Sequence, residues 1–223
     1  MLNTKAAPTL LVLVDFDGTL ARGDSLLPFL YRVQGSRRSL CAAVVTACAQ
    51  AGRQRRTGRS ALKESILRHC VVGRTRSDLE VTGHSYARHL IDQRFLGDAV
   101  QELEQHRKQG AKVVLVSASL DVYLEPLCAI MAFDAVLCTQ IEYDSDDRAT
   151  GNFTGSNVRR AEKVRMVLQW MALNGLERDT TVITAYGNGP GDRELLALAD
   201  HGLLRSRRML RRTGAFATVR ASQ

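Results

Sequence analysis

The chain of 223 residues has few aromatic side chains, no CxxC pair and no long apolar run. Phe, Tyr and Trp make up 5% of it and do not alternate with basic residues, which disfavours stacking on nucleic-acid bases. The five scattered cysteines form no zinc-like cluster with histidine and favour reduced thiols: Cys41, Cys48, Cys70, Cys128 and Cys138. No stretch approaches the ~20 apolar residues of a membrane span, and the N-terminus lacks a secretory pattern. We therefore expect a cytoplasmic protein.

Acidic residues are scarce in two parts of a chain whose formal net charge is +8. Between Arg32 and Arg68, the single acid Glu64 accompanies Arg37, Arg38, Arg53, Arg55, Arg56, Arg59 and Lys63. The segment 205–223 has no acid and contains Arg205, Arg207, Arg208, Arg211, Arg212 and Arg220. A solvated surface is the simplest interpretation of any single arginine. Two clusters together indicate an anionic partner: a phosphorylated substrate, an acidic membrane surface or nucleic acid.

Apolar strands and amphipathic helices alternate along most of the chain. The run 10–14 is too short and too rich in Leu and Val for an exposed helix, so it predicts a buried strand of a parallel sheet. Further strands are predicted over 112–116, 135–138 and 181–186, with a hairpin over 140–154. Helices are predicted over 25–34, 39–51, 60–70, 77–94, 98–109, 120–131, 157–172 and 194–199, and a basic loop over 52–58.

Polar turns follow three of the predicted strands. The first strand ends in Asp15 and Asp17, the second in Ser117, and the last in the segment 187–192. The carboxyl ends of parallel strands meet at one edge of a sheet, so we expect these groups to converge, with Lys163 on an intervening helix. Burying two unpaired carboxylates is costly, so we expect a cation beside them, or an anionic substrate that is bound together with a cation. An ordinary DxDG turn is one alternative; a calcium loop is another, but the alternating acidic ligands it needs are missing.

Four segments resemble, in order, the signature segments of the haloacid dehalogenase superfamily of phosphohydrolases: DFDGTL, VVLVSAS, a helical lysine after TGNFTG, and YGNGPGDRELL. SASLDVYLEPL and TGNFTGSNVRRAEK are most similar to its phosphoserine-phosphatase-like branch. The resemblance implies an α/β fold with a Rossmann-like parallel sheet core from residues 1–22 and 95–204. Residues 23–94 would be an inserted α-helical cap of the superfamily's first type, and 205–223 a basic C-terminal tail.

The resemblance also implies a Mg²⁺-dependent phosphomonoester hydrolase with an aspartyl-phosphate intermediate. Asp15 would be the nucleophile and Asp17 the acid and base, while Ser117 and Lys163 complete the catalytic set. The groups on the substrate phosphate would be Gly18, Ser117, Ala118 and Lys163. The groups that hold Mg²⁺ would be Asp15, Asp17, Asn188 and Asp192. Asp17 favours a phosphatase over a dehalogenase, which has no alkoxide to protonate, and the lack of spanning segments excludes a P-type pump.

One residue departs from the family pattern. The last segment usually starts with Gly-Asp, whereas this chain has Gly187 and Asn188, which removes one negative charge but keeps a carbonyl oxygen. We expect weaker Mg²⁺ binding, and a catalytically weak or inactive phosphate-binding protein is the alternative function.

The predicted cap bears on the substrate. Its arginines and its Ala/Val-rich helix suit a bulky anionic phosphomonoester, so a lipid-linked phosphate competes with phosphoserine, and a peripheral contact with an anionic membrane follows from the same features. A nucleic-acid end phosphatase is a third hypothesis, motivated by the pI of about 9.6 and weakened by the scarcity of aromatic residues.

Overall fold

The computed structural model describes residues 8–53, 59–205 and 217–218, which form an α/β structure around one sheet. Its strands are β1 (Thr9–Val14), β2 (Lys112–Leu120), β3 (Ala135–Tyr143), β4 (Ala149–Thr154), β5 (Thr181–Gly187), β6 (His201–Leu204) and β7 (Ala217–Thr218). Their order is β4-β3-β2-β1-β5-β6-β7; the five inner strands are parallel and the two edge strands antiparallel. The predicted α/β class with a mostly parallel sheet is confirmed.

The α-helices of the described residues are α1 (Leu26–Gln34), α2 (Arg37–Arg53), α3 (Arg59–Val71), α4 (Arg76–Arg94), α5 (Gly97–Lys108), α6 (Asp121–Ile130), α7 (Ala161–Leu173) and α8 (Arg193–Leu198). None of them, within 8–53 and 59–205, combines the length and apolar character that crossing a bilayer requires. All eight overlap a helix predicted from the sequence.

Strand β1 lies in the middle of the sheet and is buried on both faces. Its side chains alternate, so Val12 and Val14 join a hydrophobic cluster on one face, and Leu11 and Leu13 join a second cluster on the other. The first cluster contains residues of α1 to α6 and the second contains residues of α7 and α8. Burial on both faces explains why the sequence of β1 is continuously apolar rather than alternating.

The structure differs from the predicted elements at several boundaries. The helix predicted over 157–172 begins only at Ala161, because Arg160 has a positive φ of 54° that a helix cannot continue through. Strands β2 and β3 are longer than predicted, and β6 and β7 were not predicted. The predicted basic loop falls partly on the end of α2, while its residues 54–58 lie outside the described ranges.

Helices α1 to α4 lie between β1 and α5 in the chain and connect to the sheet through two adjacent segments. The N–H of Arg22 donates to the carbonyl of Arg94 (2.8 Å), and the N–H of Leu96 donates to the carbonyl of Leu20 (3.0 Å). Helix α4 packs against α6 at Gly83, where a Cβ atom would lie 1.9 Å from the Val122 carbonyl oxygen. The residue limits of the cap and tail stay predictions.

Candidate active site

Acceptors from three parts of the sheet edge and interior surround the buried side chain of Lys163, which projects from the first turn of α7. Its ammonium group donates to Oδ1 of Asp15 (2.6 Å), to Oδ1 of Asp192 (2.7 Å) and to the carbonyl of Val116 (2.8 Å). Asp15 directly follows β1, Asp192 lies beyond the end of β5, and Val116 lies within β2. An ammonium group has three N–H donors, so all three are satisfied although Lys163 is only 2% exposed.

The charges around Lys163 are uneven, since two buried carboxylates share one ammonium group. Burial disfavours the charged lysine, but the carboxylates of Asp15 and Asp192 outweigh it and raise the pKa of Lys163. Burial also raises the pKa of Asp15, and the ion pair with Lys163 counteracts this effect. Asp15, Asp192 and Lys163 together carry a net charge of about −1 when all are ionised, so the pocket has room for further positive charge.

The second oxygens of both aspartates are also hydrogen-bonded. The hydroxyl of Thr19 donates to Oδ2 of Asp15 (3.0 Å). Oδ2 of Asp192 accepts the backbone N–H groups of Asn188 (3.1 Å) and Gly189 (3.3 Å), which closes the turn after β5. Both carboxylates are therefore held in fixed orientations, and we call this group of Asp15, Thr19, Lys163 and Asp192 the lysine pocket.

Asp17 lies two residues beyond Asp15 but has a different environment. Its Oδ2 accepts hydrogen bonds from the hydroxyls of Ser119 (2.7 Å) and Ser25 (3.1 Å). Its Oδ1 is buried and has no hydrogen-bond partner among the described residues. Burial raises the pKa of Asp17 to about 7, although the hydrogen bond from Ser119 opposes the shift. A carboxyl group with such a pKa can both donate and accept a proton near neutral pH.

Two buried tyrosines support Ser25. The hydroxyl of Tyr123 lies 2.9 Å from Oγ of Ser25, and the hydroxyl of Tyr86 donates to the Ser25 carbonyl (2.9 Å). Their rings pack edge to face at 5.4 Å, and both contact Phe29. Three of the chain's few aromatic residues thus meet where α1, α4 and α6 come together. We call Asp17, Ser25, Ser119 and Tyr123 the hydroxyl pocket.

Asn188 contacts the backbone beside Asp17. Its side-chain Nδ2 donates to the carbonyl oxygen of Asp17 (2.5 Å). Gly18 makes this approach possible, because its φ is +78° and a Cβ atom there would lie 2.0 Å from Nδ2 of Asn188. The amide therefore links the turn after β5 to the turn after β1.

The predicted phosphate-binding residues lie around the same strand ends. Ser117 is buried, and its Oγ accepts the N–H of Ser119 (3.1 Å). The carbonyl of Ala118 accepts the hydroxyl of Thr139 (3.2 Å). The N–H of Gly18 donates to the carbonyl of Ala21 (2.7 Å), so it is engaged within the turn. The phosphate-binding roles of these residues stay predictions.

The predicted magnesium ligands are brought together, and the chemistry of their donor atoms fits the ion. Asp15 and Asp192 supply carboxylates, Asp17 supplies a carbonyl and Asn188 supplies an amide oxygen, and Mg²⁺ prefers oxygen ligands of these kinds. No group of three or more His, Cys, Asp or Glu side chains within the described ranges is arranged to hold a metal. Mg²⁺ does not need such a group, because it usually keeps several waters and takes one or two carboxylates.

Several residues of the site were not predicted from the sequence. Ser119 and Thr19 had a local signal: Ser119 follows Ser117 at a spacing of two in an extended segment, and Thr19 belongs to the same turn as Asp17. Ser25, Tyr86 and Tyr123 had none, because they reach Asp17 or one another only after the helices of the insertion pack on the sheet.

The structure has the arrangement that the resemblance implies: a parallel sheet with two aspartates at the end of its central strand and a buried lysine on a later helix. Residues 12–197 of the chain match the haloacid dehalogenase-like hydrolase family. The chain belongs to this family, and the resemblance recognised from the four sequence segments is confirmed.

The chain is also similar to individual proteins. The chain is 32% identical over 191 residues to the protein CicA of Caulobacter vibrioides, covering 86% of this chain and 83% of that protein. A Bordetella pertussis Tohama I protein of unknown function matches at 21% identity with a TM-score of 0.69, covering 85% of this chain and 86% of that one. A substrate-bound phosphoserine phosphatase matches at 15% identity with a TM-score of 0.60, covering 91% and 87%. These two structural similarities show the shared fold.

Proposed function

We propose that the chain is a Mg²⁺-dependent phosphomonoester hydrolase that works through an aspartyl-phosphate intermediate. The observation that carries the proposal is the contrast between Asp15 and Asp17. Asp15 is ion-paired with Lys163, whereas burial raises the pKa of Asp17 to about 7 with no cation in hydrogen-bonding contact. A carboxylate paired with a buried ammonium group suits a nucleophile, and a carboxyl group held by neutral hydroxyls suits an acid.

In the first step, an oxygen of the Asp15 carboxylate forms a bond to phosphorus. The bond between phosphorus and the leaving alcohol oxygen breaks, and the proton of Asp17 goes to that oxygen. The ammonium group of Lys163, 2.6 Å from Asp15, offsets negative charge as the phosphoryl group approaches. The hydroxyl of Thr19 keeps the Asp15 carboxylate in one orientation.

In the second step, a water oxygen attacks the phosphorus of the aspartyl-phosphate. Asp17, now ionised, takes a proton from this water, and the bond between phosphorus and the Asp15 oxygen breaks. Inorganic phosphate leaves, and both carboxyl groups return to their starting states. The pKa of about 7 suits Asp17 to both transfers.

Asp15, the Asp17 carbonyl, Asn188 and Asp192 would hold the Mg²⁺. A bound divalent cation would neutralise phosphate charge and favour the ionised form of Asp15. The amide of Asn188 donates to the Asp17 carbonyl, so its oxygen would have to turn toward the cation first. This rearrangement supports weaker Mg²⁺ binding than a carboxylate at position 188 would give.

For the substrate we propose a phosphomonoester held under the helical insertion, either a small metabolite such as phosphoserine or a lipid-linked phosphate. A peripheral contact with an anionic membrane is proposed for α2. Its Cys41, Val45 and Cys48 are exposed at helical spacing, and Arg37 and Arg38 are exposed at its start. Salt-sensitive pelleting of the protein with anionic vesicles, and not with neutral ones, is the expected result for a lipid substrate.

The test is Mg²⁺-dependent phosphate release by wild type and by Asp15→Asn. The panel would contain phosphoserine, sugar phosphates, nucleotides, an aryl phosphate, dispersed lipid phosphates and oligonucleotide ends. We expect release by wild type that stops with a chelator and in the variant. The best substrate in the panel would decide between the metabolite and the lipid class.

No release by wild type across a range of Mg²⁺ concentrations would contradict the proposal. Asn188→Asp should then be assayed on the same panel. Activity that appears only in this variant would support the alternative of a phosphate-binding protein that has lost catalysis. Release confined to oligonucleotide ends would support the nucleic-acid hypothesis instead.

A further inference from the structure

The hydrogen bonds of the hydroxyl pocket run in one direction. Asp17 Oδ2 accepts the hydroxyl hydrogens of both Ser119 and Ser25. A serine hydroxyl has a single hydrogen, so Ser25 has none left for Tyr123, which lies 2.9 Å away. Tyr123 must therefore be the donor in that pair, and the chain of bonds runs from Tyr123 through Ser25 to Asp17.

The same bonds separate the two oxygens of Asp17. Oδ2 is held by two donors from different parts of the chain, while the buried Oδ1 has no partner among the described residues. A carboxylic acid carries its proton on one oxygen, and the oxygen that already accepts two hydrogen bonds is the poorer place for it. The proton is thus directed to Oδ1, the oxygen that has no partner among the described residues.

The pocket also joins the inserted helices to the sheet. Ser119 belongs to β2 and Tyr123 to α6, whereas Ser25 immediately precedes α1, the first inserted helix. Tyr86 on α4 donates to the carbonyl of Ser25 (2.9 Å), so a second inserted helix fixes the same residue. Ser25, Tyr86, Ser119 and Tyr123 are all at most 2% exposed, so little water competes for these bonds.

We propose that Ser25, held by Tyr123 and Tyr86, is a positioning residue that orients Asp17 for proton transfer to the leaving group only when the inserted helices are packed on the sheet. This inference rests on the proposed phosphatase function. The step concerned is the transfer of the Asp17 proton to the leaving oxygen as the bond from that oxygen to phosphorus breaks. Ser25 itself exchanges no proton with the substrate and does not touch it.

The test compares two substrates that differ in their need for an acid. An alkyl phosphate leaves as a basic alkoxide and needs the proton, whereas p-nitrophenyl phosphate leaves as a stable phenolate and needs it little. The readout is the ratio of kcat/KM for the aryl substrate to kcat/KM for the alkyl substrate. A general loss of folded enzyme lowers both values equally and leaves the ratio unchanged.

The variants are Ser25→Ala and Tyr123→Phe, with Asp17→Asn as the reference for complete loss of the acid. General acid catalysis contributes roughly 10²–10⁴-fold, so we expect a loosened acid to raise the ratio about tenfold in Ser25→Ala and Tyr123→Phe. Tyr86→Phe should raise it about threefold, since that bond reaches only the backbone of Ser25. The matched controls Ser39→Ala and Tyr31→Phe, both at exposed positions in the insertion, should keep the wild-type ratio.

The inference would be overturned if the aryl-to-alkyl ratios of Ser25→Ala and Tyr123→Phe stayed within twofold of wild type. The ratio of Asp17→Asn would show separately whether an acid operates at all. Melting curves would identify any variant that fails to fold, and Tyr123→Phe, which keeps the ring, would then decide alone. A wild type that releases phosphate from neither substrate would overturn the proposed function, and this inference with it.

Discussion

The lysine pocket and the hydroxyl pocket hold two aspartates that are only two residues apart in the chain. The first surrounds Asp15 with a buried ammonium group, a second carboxylate and a threonine. The second surrounds Asp17 with neutral hydroxyls and leaves one of its oxygens without a partner among the described residues. Charge compensation in one pocket and neutral hydrogen bonding in the other therefore place two chemically identical side chains in different electrostatic environments.

The two pockets also differ in what builds them. The lysine pocket is formed by the ends of β1 and β5 and by α7, with the β2 carbonyl of Val116 as a fourth contact, so the sheet and α7 assemble it without the inserted helices. The hydroxyl pocket requires Ser25 and the tyrosines of α4 and α6, so it is complete only when the insertion is in place. The sheet and α7 thus fix the position of Asp15, whereas the contact between the sheet and the inserted helices fixes the position of Asp17.

The largest difference expected between the pockets is in activity. On p-nitrophenyl phosphate, Asp15→Asn should lower kcat/KM by at least about a thousandfold, because no other group can form the intermediate. Asp17→Asn should lower kcat/KM only about tenfold, because kcat/KM reports formation of the intermediate, in which this leaving group needs little protonation. Phosphate release assays measure both. Equal losses in the two variants would show that the pockets do not have separate roles.

Stability should separate the pockets next. Lys163→Met leaves two buried carboxylates facing one another, and we expect the free energy of unfolding to fall by about 3–5 kcal/mol. Urea denaturation followed by circular dichroism measures this. Lys112→Met, which removes an exposed lysine at the start of β2, is the matched control and should change stability by less than about 0.5 kcal/mol. A small loss in Lys163→Met would indicate that the lysine pocket is more hydrated than its contacts suggest.

This difference in construction also decides what the sequence could predict. The convergence of Asp15, Lys163 and Asp192 follows from short apolar strands that end in polar turns, together with the rule that parallel strand ends share an edge. Ser25 gives no such signal. Its partners Ser119 and Tyr123 are 94 and 98 residues away, and no periodic pattern in the nearby sequence indicates that they meet. Contacts that form only when helices pack together cannot be predicted from local sequence patterns.

The C-terminal region gives a second example. Strand β6 has only four residues, too few to show a clear alternation of apolar and polar side chains. It joins the sheet by pairing in parallel with β5. Arg205 was assigned to a basic tail, yet it is 4% exposed, pairs with Asp98 and donates to the carbonyl of Thr19 (2.9 Å). An arginine-rich composition predicts a solvated surface on average, but it does not show that Arg205 is buried against the sheet.

A change at Asn188 should alter the contact between the two pockets. Asn188→Asp removes the amide donor from the Asp17 carbonyl and adds a negative charge beside the proposed cation site. We expect Mg²⁺ to bind about tenfold more tightly, or about 1.4 kcal/mol, as measured by calorimetric titration. Asn174→Asp adds the same charge at an exposed position after α7 and should leave Mg²⁺ affinity within about twofold. Equal affinity in wild type and Asn188→Asp would remove Asn188 from the metal site.

The smallest expected effect concerns the half-buried carboxyl of Asp121, which has neither the cation of one pocket nor the hydroxyls of the other. Asp121 begins α6, and its oxygens accept the N–H of Ile141 (3.3 Å). Burial raises the pKa of Asp121 to about 6. The folded state therefore holds this proton more tightly than the unfolded state does, and the associated stability is lost as pH rises through about 6.

Asp121→Asn should remove this dependence. At pH 8 we expect the variant to be about 1 kcal/mol more stable than wild type, less than the full value of the shift because Asp121 is only half-buried. At pH 4, where the carboxyl is mostly protonated in the folded state, the two proteins should be equally stable. Urea denaturation at both pH values measures the difference, with Asp92→Asn on the exposed side of α4 as the control. A variant less stable than wild type at pH 8 would show that backbone hydrogen bonds alone compensate a buried carboxylate. The hydroxyls around Asp17 would then suffice to keep it ionised, and the contrast between the two pockets would be weaker than their contacts indicate.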